Sequence, residues 1–286
     1  MNNTDPTDGG GGDQRILDEA KELAKRGYDL TIVAGRTDPS LPSTRTVNGI
    51  HIRTVKCLPD LLAGFDTLYF YFVRMLFPLL SAPKLIGECR IDPPDLVVDD
   101  FTPHPSLASL LSRLFSIPVI AIVHEYHNRT ALEKFPFVIG VIQLGVQNIL
   151  RTNLYDGVIV PRQSTKEQLR DYGVSVPIYD VPNGIDVTPY EEPPDASAAT
   201  GYDLLVVSRL VYRKGIDQLI DAMELVAKSQ PDVRLGIAGD GPQREELQQQ
   251  VASRGLEDSI EFLGYVPEKE KIALLHAADI FVLPSR

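Results

Sequence analysis

Short apolar runs alternate with amphipathic stretches along almost the whole chain, and that rhythm constrains the fold more than any other feature. Strands are predicted over 29–35, 50–55, 96–100, 118–124, 156–160 and 178–181, with helices over 15–26, 106–115 and 135–153 among them. The pattern then stops. Residues 187–201 hold Pro189, Pro193, Pro194, Glu191 and Glu192 and have no apolar period, as a linker does. It restarts with strands over 202–208, 233–238, 260–263 and 280–283 and helices over 216–228, 243–254 and 269–277. Strands that alternate with helices pair in parallel and carry helices on both faces. The expectation is an α/β protein of two Rossmann-like, doubly wound domains facing each other across a cleft, the second incomplete with four strands. The domains fall at 13–186 and 202–286, after a flexible glycine-rich start over 1–12 and on either side of the linker.

Local signals support the elements. Ile16, Ala20, Leu23 and Ala24 share a face of the first helix, and Gly27 stands where a C-terminal cap belongs. Ser164-Thr165-Lys166-Glu167 has the form of a capping box. Asn48-Gly49 marks a turn. No short-period repeat is present.

Composition excludes some functions. A formal net charge of -11 over 286 residues argues against a nucleic-acid surface, which needs clustered Lys and Arg. Cys57 and Cys89 are too few for a disulfide framework or a Cys-based zinc site, so a reducing, cytoplasmic setting is expected. Met1-Asn2-Asn3-Thr4-Asp5 lacks the charged and apolar regions of a signal peptide. The apolar stretch 68–80 is shorter than the roughly 20 residues of a membrane span, and Arg74 and Pro78 interrupt it. A buried helix is the preferred reading. A helix lying on the membrane surface is the alternative, and with it a peripheral membrane association.

The second domain concentrates the candidate chemistry. In Ser208-Arg209-Leu210-Val211-Tyr212-Arg213-Lys214-Gly215, Arg209 and Lys214 flank a loop between a strand and a helix. A forked donor, a point charge and the free amides of a helix start suit a diphosphate; the alternative is a solvated basic loop. Ala238-Gly239-Asp240-Gly241-Pro242 also joins a strand to a helix, as a backbone approach to a ligand or as a structural turn. Gly264-Tyr265-Val266-Pro267 is a third loop at the same sheet edge and offers backbone groups to a base.

The first domain is less specific. Gly9-Gly10-Gly11-Gly12 precedes a helix, as a phosphate cradle or a loose terminus. His124 closes an apolar strand and suits substrate binding or proton steering, or a structural role. His124-x-x-His127 without a third ligand is poor evidence for a metal. Asp99, Asp100 and His104 end another strand and suit sugar hydroxyls. No GxGxxG follows a strand and no GxxxxGK[ST] is present, which disfavours a dinucleotide dehydrogenase and a P-loop enzyme.

Four blocks in order resemble the group-1 (family 4) retaining glycosyltransferases: 206–215 with Arg209 and Lys214, 237–242, 262–266, and Ala278-Asp279-Ile280-Phe281-Val282-Leu283-Pro284-Ser285-Arg286. Gly11-Gly12-x-x-Arg15, Val123-His124 and Val181-Pro182-Asn183-Gly184-Ile185-Asp186 are similar to that family too. The resemblance implies the GT-B architecture, with a nucleotide sugar as donor and co-substrate, a carbohydrate or lipid-linked acceptor, and no metal or other cofactor. It implies donor binding by Arg209, Lys214, Gly12, Gly239, Asp240, Gly241, Asn183 and the backbone near Val266, with His124 beside the transferred sugar. The family also has a strand before its Gly-Gly loop, and two glutamates eight residues apart after the Pro-Ser block. The chain is therefore read as cut at both ends. The alternatives are a non-catalytic nucleotide-sugar-binding relative and, less favoured, a sugar-nucleotide epimerase.

Overall fold

The structure, a computed structural model, describes residues 11–36, 40–56, 66–101, 107–126, 137–191 and 201–286. Helix α1 (Gly11–Lys25) turns Leu17, Ala20 and Ala24 onto Ile50 and Ile52. Gly27, at φ +90°, ends it as expected, with the Gly27 amide donating to the Ala24 carbonyl and Tyr28 to Leu23. Strands β1 (Thr31–Arg36), β2 (Thr44–Val47) and β3 (Ile50–Lys56) form a sheet of order β1-β3-β2, with β1 parallel and β2 antiparallel to β3. Asn48 and Gly49, both at positive φ, make the two-residue turn of the β2–β3 hairpin. The sequence predicts this turn but not the strand before it. Thr44-Arg45-Thr46-Val47 is an exposed edge with no apolar run to announce it.

Helix α2 (Asp66–Ile91) is longer than expected and runs through Pro78 and Pro83. Buried Ser81 donates its hydroxyl to the Pro78 carbonyl at 3.2 Å. Phe77 and Leu85 face inward. No helix among the described residues is long and apolar enough to cross a membrane.

The chain continues through β4 (Val97–Phe101), α3 (Ala108–Leu114), β5 (Val119–Val123), α4 (Phe137–Gln147) with a 3₁₀ turn to Arg151, β6 (Gly157–Val160), α5 (Gln163–Tyr172) and β7 (Ile178–Asp180). These strands form a fully parallel sheet of order β4-β5-β6-β7, cored by Val119, Ala121, Val123, Val158, Val160 and Leu169. The expected capping box does not form. Helix α5 starts earlier, with extended Arg162 at its N-cap, so Ser164 lies inside the first turn. Gln163 Nε2 donates to Glu167 Oε1 at 3.1 Å instead.

The contacts divide the chain into two units, Met1–Ile185 and Asp186–Arg286. The second holds α6 (Thr188–Glu191), β8 (Leu204–Val207), a 3₁₀ turn (Tyr212–Lys214), α7 (Ile216–Ser229), β9 (Leu235–Ala238), α8 (Arg244–Ser253), β10 (Ile260–Gly264), α9 (Glu268–Ala277) and β11 (Ile280–Phe281). Residues 188–191, read as linker from sequence, form the helical turn α6 and dock on α9. The Tyr190 carbonyl accepts from His276 Nε2 at 3.1 Å, and the Tyr190 hydroxyl lies 3.1 Å from Glu268 Oε1.

All four strands are parallel, in the order β10-β9-β8-β11. Helix α7 buries Ile216, Leu219, Ile220 and Met223, a stripe at helical spacing, against Val206, Leu235 and Ile237. Each such side chain contributes about 1.5–3 kcal/mol by leaving water. Strand β9 is buried throughout, as a central parallel strand covered on both faces must be.

Candidate functional site

The second unit's strand order decides where a ligand fits. Counting from β8, the order is third, second, first, fourth, so the winding reverses between β8 and β11. In open α/β sheets such a reversal marks the ligand edge; here residues 284–286, after β11, pack back on the β8 loop, with the Arg286 amide donating to the Arg213 carbonyl at 2.9 Å. The β8 loop carries Arg209, which is exposed, and Lys214, which is half-buried. Among the described residues neither cation has an acidic partner. They make this switch point locally positive in a chain of net charge -11.

Neighbouring loops brace this edge. Gly215 caps α7 at φ +66°, and a Cβ there would come 2.1 Å from the Pro284 carbonyl oxygen. Gly239 is at φ +136°, where a Cβ would meet the Ser208 carbonyl oxygen at 1.9 Å. The Gly239 amide donates to Gly264, and Leu210 donates to the Asp240 carbonyl at 2.9 Å. Gly241 packs on Leu210. The Asp240 carboxylate accepts from the Gly241 amide at 2.7 Å and pairs with Arg244 at 3.2 Å, so both its oxygens serve the loop. Val266 points into the core with Tyr202, Leu205 and Leu274, while Tyr265 next to it is exposed.

The sequence reading missed a brace made by Arg286. Its guanidinium donates to Asp217 Oδ2 and to the Tyr212 carbonyl, each at 2.5 Å, and stacks 4.1 Å from the Tyr212 ring centre. It therefore holds the 3₁₀ turn that ends in Lys214. Arg286 also holds the Asp217 carboxyl below its ordinary range, chiefly by that hydrogen bond.

In the first unit the chemistry gathers at the carboxyl ends of β4 and β5. Asp99 and Asp100 are adjacent in β4 and so point to opposite faces. Asp99 is buried and accepts from the Tyr155 hydroxyl at 2.6 Å. Burial, and then Asp99, push the Tyr155 hydroxyl's pKa well up. Asp99 is thus committed to the core, contrary to the expectation that it meets sugar hydroxyls. Asp100 faces the edge instead. Its Oδ1 lies 2.9 Å from His124 Nε2, just past β5, and 3.2 Å from Arg15 Nη2 on α1.

Gly12 is the second residue of α1, where helical amides have no intrahelical acceptor. Asn183 is exposed beyond β7, two strands from β5 at the same edge. His104, His127, Cys57 and residues 1–10 lie outside the described residues. Cys89 is buried and free. Arg15, Asp100 and His124 come together only through the fold, since 85 residues separate the first two and 24 the last two.

Two Rossmann-like parallel-sheet units, each presenting its polar residues at the carboxyl edge, define the GT-B class of α/β protein. Residues 9–188 match the model of Glycosyltransferase Family 4, and 191–286 match that of glycosyl transferases group 1. The chain belongs to that glycosyltransferase family. It is 31% identical over 193 residues to alpha-monoglucosyldiacylglycerol synthase of Streptococcus pneumoniae, which covers 61% of this chain and 43% of the relative. It is 26% identical over 279 residues to glycogen synthase of Mycobacterium tuberculosis, covering 92% of this chain and 66% of that one. Among solved structures, Anabaena Alr3699/HepE in complex with UDP superposes with a TM-score of 0.65 at 18% identity, over 99% of this chain and 73% of that one. WaaG, a glycosyltransferase involved in lipopolysaccharide biosynthesis, gives 0.67 at 14% identity, over 99% and 74%. The chain thus spans less than two thirds of the length of these curated relatives.

Proposed function

We propose that the protein transfers a sugar from a nucleotide-sugar donor to a carbohydrate or lipid-linked acceptor, with retention and without a metal. The observation that carries this is the pair of uncompensated cations, Arg209 and Lys214, at the β8/β11 switch point. When the bond from sugar to phosphate breaks, negative charge grows on the departing nucleoside diphosphate. Cations held in place before that moment lower the barrier, the task a metal ion performs elsewhere. In the first unit His124 is read as the group beside the transferred sugar, and its partly exposed ring at the end of β5 supports that reading. The names of relatives support the class. HepE was solved with UDP, and the S. pneumoniae relative is named for making a glucosylated diacylglycerol.

Calorimetric titration with UDP and GDP tests the reading. The protein should bind at least one of them with chelator present, and Arg209→Ala and Lys214→Ala should each weaken that affinity. Unchanged affinity in both variants overturns the site. Binding without transfer to any acceptor would favour a non-catalytic relative.

A peripheral membrane contact through residues 68–80 belongs to the same proposal. Its support among described side chains is Leu79 and Leu80, which are exposed. Co-sedimentation with anionic liposomes that survives Leu79→Glu counts against it.

A further inference from the structure

Arg15, Asp100 and His124 belong to three separate elements and converge on one oxygen. Asp100 Oδ1 meets His124 Nε2 at 2.9 Å and Arg15 Nη2 at 3.2 Å, and Arg15 Nη1 reaches Glu19 Oε1 at 3.0 Å. Arg15 and Asp100 are largely shielded, with side-chain exposures of 10% and 13%, while His124 keeps 30%. The neighbouring carboxylate does not compete, because Tyr155 holds Asp99 on the other face of β4. A carboxylate oxygen that already accepts from a guanidinium takes the facing Nε2 as an N–H donor. A neutral imidazole carries one proton, so a proton held on Nε2 leaves a lone pair on Nδ1. Among the described residues Nδ1 has no partner.

We infer that Asp100 is a positioning residue that fixes His124 as its Nε2–H tautomer, so that the ring presents Nδ1 to the edge as a hydrogen-bond acceptor. The inference deepens the proposed function by naming the chemistry His124 offers. An acceptor nitrogen takes the hydrogen of a neutral sugar hydroxyl. It meets a carboxylate at the same place lone pair to lone pair, so the site favours a sugar with a hydroxyl there over a uronic acid. Arg15 holds the same Asp100 oxygen that meets the ring.

Side-chain nitrogen NMR tests this on the full chain without any donor. In protein labelled on the histidine rings, His124 is assigned by the signal that His124→Gln removes. At mildly alkaline pH the wild-type ring should show the Nε2–H tautomer alone. Asp100→Ala should replace that pattern with the mixed tautomers of a free imidazole. Asp100→Asn, which keeps the shape of the side chain, should also lose the single-tautomer signature. A wild-type ring protonated on Nδ1 overturns the inference whether or not the variants fold. So does an unchanged pattern in folded Asp100→Ala. Failure of nucleoside diphosphate to bind would count against the donor site in the second unit and leaves this measurement intact.

Discussion

The carboxyl edges of the two units solve the same problem in opposite ways. At the first unit's edge the charges are closed on themselves: Arg15 and His124 share one oxygen of Asp100, and Arg15 also reaches Glu19. At the second unit's edge the carboxylates are spent on bracing, Asp240 on Arg244 and Asp217 on Arg286, and among the described residues the cations Arg209 and Lys214 are left over. A closed network orients a group. An open pair of cations attracts one.

The contrast breaks most sharply if the cations prove dispensable. Replacing both Arg209 and Lys214 by Ala should cut transfer by about 100- to 1,000-fold, the effect of removing preorganised charge stabilisation, and initial rates with a radiolabelled donor would show it. Asp100→Ala should leave nucleoside-diphosphate affinity nearly unchanged, so an equal loss from both edges would erase the distinction. Next in size is a backbone effect. Gly239→Ala forces a Cβ onto the Ser208 carbonyl at a left-handed φ and should cost on the order of 3 kcal/mol, read as a lower urea midpoint.

A pH effect follows for the second unit. The Tyr202 hydroxyl donates to Glu261 at 2.7 Å, and burial, then Glu261, push its pKa from 10.0 up to about 12. The protonated form therefore favours the folded state. Its contribution is complete below pH 10 and is lost as pH rises toward about 12. Urea midpoints should fall across that window, and Tyr202→Phe should flatten the fall. The smallest effect belongs to Arg286→Ala. It frees the turn that presents Lys214 without removing a diphosphate contact, so calorimetry should show only a few-fold loss of affinity.

Much of this was legible in the chain because it is local. Alternating apolar runs locate the strands, Gly27 ends α1, and the stripe of α7 follows from spacing alone. Arg209, Lys214 and His124 stand at the ends of apolar runs, so a strand-then-loop reading finds them. The misses have physical causes. Strand β2 is an edge whose pairing comes from β3 rather than from its own residues. Helix α2 runs on through Pro78 and Pro83 to Ile91, well past the apolar stretch 68–80 that marks it in the sequence. Asp99 and Asp100 look equivalent as neighbours, and only the pleat sends one to Tyr155 and the other to His124.

The sequence by itself determined that this is an α/β chain, where all its strands but β2 lie, and which residues stand at their carboxyl ends, because each of these depends on contacts a few residues apart. The tertiary structure alone decided the strand order that puts β11 beside β8, and so the place of the switch point. It alone decided that Asp100 gathers Arg15 and His124 on one oxygen, and that Arg209 and Lys214 have no counter-ion among the described residues. Pairing order and charge compensation join residues far apart in the chain, and no local pattern records which of them will meet.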